Sequence, residues 1–95
     1  MAQEDIAPVN VLDREEALDV PWNVFLWNDP VTPMNVVTLA LKKIFGYPKE
    51  KSEQLMLEAH HNGKVVVWTG EQSLAQGFCI QLHTCGLQAT IAKDS

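Results

Sequence analysis

The break Asn28-Asp29-Pro30, followed at once by Thr32-Pro33, constrains this chain more than any other feature. The residues before it, Asn23–Trp27, are few and rich in Val, Phe and Trp, which is the composition of a strand. Asn and Asp side chains bond the backbone two residues on, and Pro removes a ladder donor, so the strand has to stop there. Thr32 then offers a hydroxyl N-cap. Pro33 offers a fixed φ at the first helical position, where its missing N–H costs nothing. A strand must therefore turn tightly, through polar residues, into a helix.

The same punctuation organises the rest of the chain. Met34, Val37, Ala40, Leu41 and Ile44 fall on one helical face, and Gly46 ends that helix. A second helix starts around Pro48, carries Leu55, Met56, Ala59 and His60 on its inner stripe, and closes at Asn62-Gly63. Val65–Trp68 is a β-branched run and reads as a second strand. Thr69-x-x-Gln72 fits a capping box opening a third helix. Leu74, Phe78 and Leu82 recur along it every four residues, and Gly86 caps it. Leu87–Ile91 alternates and completes the sheet. The predicted order is β-α-α-β-α-β, an α/β (α+β) sandwich with a small three-stranded antiparallel sheet packed against three helices.

A chain of 95 residues allows one domain, with a core that buries only about 60% of the unfolded surface. Residues 1–20 read as a flexible extension, because Glu4, Asp5, Asp13, Glu15, Glu16 and Asp19 outweigh Arg14 and the apolar residues keep no period. Pro21 opens the folded unit, residues 21–95. A net charge of −5 argues against nucleic acid, which demands clustered Lys and Arg, and weakly favours cationic partners. No apolar run approaches the ~18–20 residues that span a bilayer, so no membrane association is expected. The acidic start Met1-Ala2-Gln3-Glu4-Asp5 is unlike a basic signal peptide, and a cytoplasmic location is expected. Cys79 and Cys85 read as free thiols in a reducing compartment.

A second stretch, Met56-Leu57-Glu58-Ala59-His60-His61-Asn62-Gly63-Lys64, reads as a helix end carrying an imidazole beside small and apolar residues. Folded against Trp27–Met34, it would bring an amide, a carboxylate and an imidazole to the rim of an apolar hollow. Such a rim suits a hydrophobic side chain attached to a charged amino group. An ammonium has three donors, and the Asn28 carbonyl, a nitrogen of neutral His60 and the Asp29 carboxylate are acceptors. Plainer readings fit the same residues. Asn28-Asp29-Pro30 is an ordinary Asx turn, His60 is an imidazole satisfied by backbone, and Met34, Val37 and Met56 are a core stripe. His61 points about 100° away from His60 around the helix and reads as solvent-facing. Adjacent His residues on a helix cannot share one metal, so no zinc site and no cofactor is expected.

Together the two stretches resemble the matching segments of the ClpS family, adaptors that deliver N-degron substrates to a Clp protease. The resemblance runs over about residues 21–95 and includes the order of elements. It implies a non-enzymatic adaptor that binds proteins beginning with Phe, Tyr, Trp or Leu and hands them to a Clp-type AAA+ unfoldase, ClpA- or ClpC-like. By the same resemblance Asn28, Asp29 and His60 hold the α-amino group, while Thr32, Met34, Val37, Met56, Ala59 and Leu87 line the pocket. The N-terminal extension would engage the unfoldase. This chain departs from the pattern at Pro30, where many relatives carry a second Asp, and at Ala59, where relatives often have a larger aliphatic residue. It also looks shorter after Trp68 than some relatives.

Two other readings compete. A small α/β interaction domain of the ribosomal-stalk type would need a Lys-rich helix face, and only the pair Lys42-Lys43 offers one. A Cys–His enzyme would need an activated thiol, which Cys79 and Cys85, in the third helix and at its end, do not suggest.

Overall fold

The computed structural model describes residues 20–94, so the reading of residues 1–20 as a flexible extension lies, but for Val20, outside the described residues. The strands are β1 (Trp22–Trp27), β2 (Lys64–Gly70) and β3 (Ala89–Lys93). The helices are α1 (Met34–Phe45), α2 (Lys49–Asn62) and α3 (Gln72–Thr84). The order is the one read from the sequence, β1-α1-α2-β2-α3-β3. The sheet order is β2-β1-β3, both pairings are antiparallel, and β1 is the central strand.

Central placement explains why β1 buries Val24 and Leu26 almost completely. One face of β1 looks into the core, and the alternate residues Phe25 and Trp27 look out. The helices close the inner side. Ala40 and Leu41 of α1, Ala59 of α2 and Ala75, Cys79 and Leu82 of α3 are all buried there. An aromatic cluster extends the core, with the Phe78 ring centred 4.7 Å from that of Phe45 and 4.8 Å from that of Trp68.

Local readings shift in several places. Thr32 is not the N-cap of α1. Pro33 occupies that position, its carbonyl accepting from Val36 and Val37, and the Thr32 hydroxyl instead donates to Asp29 Oδ2 at 3.0 Å. No capping box forms at α3 either. The Thr69 hydroxyl donates across the sheet to Asn23 Oδ1 at 2.6 Å, and Glu71 is the N-cap. Of the residues spaced by four along α3, Phe78 and Leu82 pack into the core and Leu74 does not. Leu74 is 55% exposed, and Ala75 takes its place. On α2, Ser52 is fully buried and His60 is exposed. Leu87 precedes β3 instead of starting it, and is buried. At Thr32 the neighbouring turn claims the hydroxyl, and at the other positions cross-strand or packing contacts override a pattern visible only along the chain.

Candidate functional site

The end of β1 is tied to the end of α2 by backbone alone. The N–H of Asn28 donates to the Gly63 carbonyl at 2.8 Å, and the N–H of Gly63 donates to the Ala59 carbonyl at 2.9 Å. Gly63 has φ of +90°, a conformation in which a side chain is strained, so glycine is needed to close α2 in this direction. These two bonds bring Asn28 and His60, far apart in the chain, to one corner.

The next residues form an Asx turn. Asp29 Oδ1 accepts from the Val31 N–H at 2.9 Å, while Oδ2 holds the Thr32 hydroxyl. The plainer reading of this segment is therefore realised, and the Asp29 carboxylate serves its own loop first. A carboxylate has about four acceptor sites, so capacity is left after these two bonds. The turn delivers the chain into α1, and β1, the turn, α1 and α2 enclose a hollow of about 270 Å³. Its walls are Leu26, Trp27 and Asn28 from β1 and the residue beyond it, Asp29, Pro30, Thr32 and Pro33 from the turn, Met34 and Val37 from α1, and Met56, Ala59 and His60 from α2.

Of the residues singled out by sequence, Asn28, Asp29, His60, Thr32, Met34, Val37, Met56 and Ala59 all meet at this hollow. Leu87 does not. It is buried in the core and borders a different depression with Trp27, His83, Gln88, Ala89 and Thr90. Sequence reading did not assign Leu26, Trp27, Pro30 and Pro33 to the hollow. Leu26 is on the inward face of β1, and alternation would have pointed to it. Trp27 is fixed by tertiary contacts: its N–H donates to the Gln88 carbonyl and its indole N–H to the Thr90 hydroxyl, both at 2.9 Å.

The floor of the hollow is apolar and the rim at Asn28 and His60 is polar. Among the described residues no side-chain hydrogen bond engages Asn28 or His60. His60 stands edge-on to His61, with ring centroids 5.4 Å apart, and both are exposed. Such a rim offers acceptors to an incoming ammonium, above a floor that accepts a hydrocarbon or aromatic side chain. Among the described residues no cluster of three metal-ligating side chains exists.

The cysteine–histidine alternative has a specific counterpart, Cys79 and His83, with Sγ and Nε2 3.6 Å apart. The Ala89 carbonyl lies 2.8 Å from His83 Nε2 and can only accept, so that nitrogen carries the proton and cannot take one from the thiol. Burial also pushes the Cys79 thiol pKa up, and the thiol donates to the same carbonyl. This is a packed structural pair, not a nucleophile with its base.

A family model described as the ATP-dependent Clp protease adaptor protein ClpS matches residues 17–90. The chain belongs to the ClpS family. Relatives named ATP-dependent Clp protease adapter protein ClpS agree along nearly the whole chain. The one from Nocardia farcinica is 43% identical over 98% of this chain and 88% of its own length. The one from Rhodococcus opacus is 39% identical over 94% and 80%. Among solved structures, Agrobacterium tumefaciens ClpS2 bound to L-phenylalaninamide superposes with a TM-score of 0.70 at 27% identity, covering 79% of this chain and 98% of that one. Membership makes this ClpS-type chain an adaptor of the Clp protease, and the family is one of adaptors, not proteases. Among the described residues no helix is long and apolar enough to cross a membrane.

Proposed function

We propose that this ClpS-family adaptor captures proteins whose first residue is Phe, Tyr, Trp or Leu and delivers them, in the cytoplasm, to a ClpA- or ClpC-like AAA+ unfoldase. The observation that carries the reading is the joining of an apolar hollow to the acceptors Asn28, Asp29 and His60 on one rim. Burying a large apolar side chain there contributes about 1.5–3 kcal/mol. The α-amino contacts restrict that gain to chain termini, because an internal residue has no ammonium to offer. The likeness to a ClpS2 that binds L-phenylalaninamide supports an aromatic first residue. The direct test is a binding titration with peptides identical except at the first position. Phe, Trp, Tyr and Leu should bind, and Ser should not; affinity independent of that residue would refute the reading.

Met34 is the proposed gate. It begins α1 at the mouth of the hollow, is 45% exposed, and faces Met56 and Ala59 across it. An unbranched thioether adapts to flat or γ-branched side chains but crowds a β-branched one, whose extra methyl lies beside the backbone. Wild type should prefer Phe and Leu over Ile and Val. Met34→Ala should relax this preference with only a modest loss for Phe, and Ala59→Val should narrow the hollow and penalise Trp most. Dissociation constants for the five peptides on the three proteins decide the matter. An unchanged Leu-to-Ile ratio in Met34→Ala would make Met34 ordinary packing.

Residues 1–20 are the proposed contact with the unfoldase, separate from the pocket. A chain beginning at Pro21 should bind peptide normally yet fail to accelerate degradation by the Clp machine. Full-rate delivery by the shortened chain would exclude that role.

A further inference from the structure

The face of the sheet turned away from the helices is apolar where an antiparallel sheet open to water is normally polar. Val24, Leu26 and Val67 point inward and are buried. The register therefore puts Asn23 and Thr69 at one end of the outer face, Phe25 and Val66 in the middle, and Trp27 and Lys64 at the other end. Trp27 is 39% exposed and Val66 37%. Bonds across the strands hold this face in one arrangement. The Thr69 hydroxyl donates to Asn23 Oδ1, and the Trp27 indole N–H donates to the Thr90 hydroxyl. The Lys64 ammonium lies over the rings at its end, 4.8 Å from the centroid of Phe25 and 5.1 Å from that of Trp27. A central strand reading Trp-Asn-Val-Phe-Leu-Trp is apolar on both sides, the pattern of a strand covered on both, yet all three helices pack on the inner side.

The N-terminal segment of the same chain matches this face in reach, charge and order. Residues 1–19 lie outside the described residues, and the chain enters β1 through Pro21, whose carbonyl accepts from the Asp94 N–H at 2.9 Å. That entry is at the Asn23 end of the face. Glu4, Asp5, Asp13, Glu15, Glu16 and Asp19 stand against Arg14 in the segment, which accounts for the whole net charge of −5 and leaves the rest of the chain neutral. Backward from Pro21 come polar Asp19, apolar Leu18 and Ala17, then Glu16, Glu15 and Asp13. Forward from Trp22 the face offers polar Asn23 and Thr69, apolar Phe25 and Val66, then the Lys64 cation. Glu16 lies as far before Pro21 as Trp27 lies after Trp22, about 17 Å of extended chain. A segment turned back at Pro21 thus brings its carboxylates to the Lys64 end. We propose that residues 13–19 seat on the outer face of the sheet, with Leu18 and Ala17 against Phe25 and Val66 and the carboxylates at Lys64. A seated segment is not free for the unfoldase contact proposed above, although the seating itself does not depend on that contact.

Arg14 is the only Arg or Lys before Lys42, so trypsin reports on the segment at one bond, Arg14–Glu15. Limited digestion of the full chain, followed by mass spectrometry, should cut that bond about tenfold more slowly than in a free peptide of residues 1–20, the factor that partial burial of one leucine supplies. Lys64→Glu and Val66→Ser should each speed the cut by about threefold or more, with melting temperatures showing that both fold. Protection that is independent of protein concentration and lowered in both variants supports the seating. Cutting of wild type at the rate of the free peptide overturns it. Protection unchanged in either variant overturns it too, because the segment is then held elsewhere. Protection that fades on dilution gives the face to the segment of a second copy and likewise overturns it. The digestion contains no unfoldase, so its failure leaves the delivery role of residues 1–20 standing.

Discussion

Acetylating the α-amino group of a Phe-first peptide will weaken its binding at least about tenfold. The free amine has a pKa of about 7.7–8.0, so at neutral pH it is mostly an ammonium with three donors. Acetylation removes the charge and leaves one amide N–H. The Asn28 side-chain carbonyl and the imidazole of His60 then lose the group for which their corner is suited. A charge-assisted hydrogen bond is worth roughly 1.5–3 kcal/mol, and about 1.4 kcal/mol is a factor of ten in affinity. Anisotropy titrations of the two peptides measure the difference directly. Asn28→Ala should shrink it, because part of the discrimination passes through that carbonyl. Equal affinity for the free and acetylated peptides would rule out amino-group recognition at this rim.

Leu41→Ala will cost about 2–5 kcal/mol of folding stability, the usual range for truncating a fully buried leucine. Leu41 is 0% exposed in α1, and α1 packs on both α2 and α3. For a domain of this size, each kcal/mol moves the melting temperature by about 4–8 °C, so a fall of at least about 8 °C is expected. Urea unfolding gives the free energy, and calorimetry gives the temperature. Leu74→Ala is the matching control. Its spacing suggests the inner stripe of α3, but Leu74 is 55% exposed, and its truncation should change stability by less than about 0.5 kcal/mol. Comparable losses for the two variants would mean that Leu74 packs into the core with Phe78 and Leu82.

How much of the site was legible depended on the distance over which each residue is positioned. The Asx turn at Asp29 is set within three residues, so Asn28-Asp29-Pro30 announced it directly. Thr69 misled for the opposite reason: it fits a helix cap along the chain, but its hydroxyl has an acceptor across the sheet, Asn23. Thr32 fits a cap too, and the same local turn claims its hydroxyl for Asp29. Resemblance assigns Leu87 to the hollow, while the closing turn after α3 buries it in the core instead. Ser52 shows the limit of polarity as a guide, since it is fully buried with no partner for its hydroxyl among the described residues.

The order of elements was written in the chain, because Gly, Pro and Asn-Gly breaks and apolar periods act through neighbouring residues. The sequence also carried the acceptor residues of the rim and the family resemblance. Three-dimensional packing alone set β1 between β2 and β3, and brought the Asn28 N–H to the Gly63 carbonyl. That bond joins residues 35 positions apart, from 28 to 63, and no local propensity encodes it. The hollow exists because burying Val24, Leu26, Leu41 and Ala59 in one core brings the ends of β1 and α2 together, leaving space between them that their side chains do not fill.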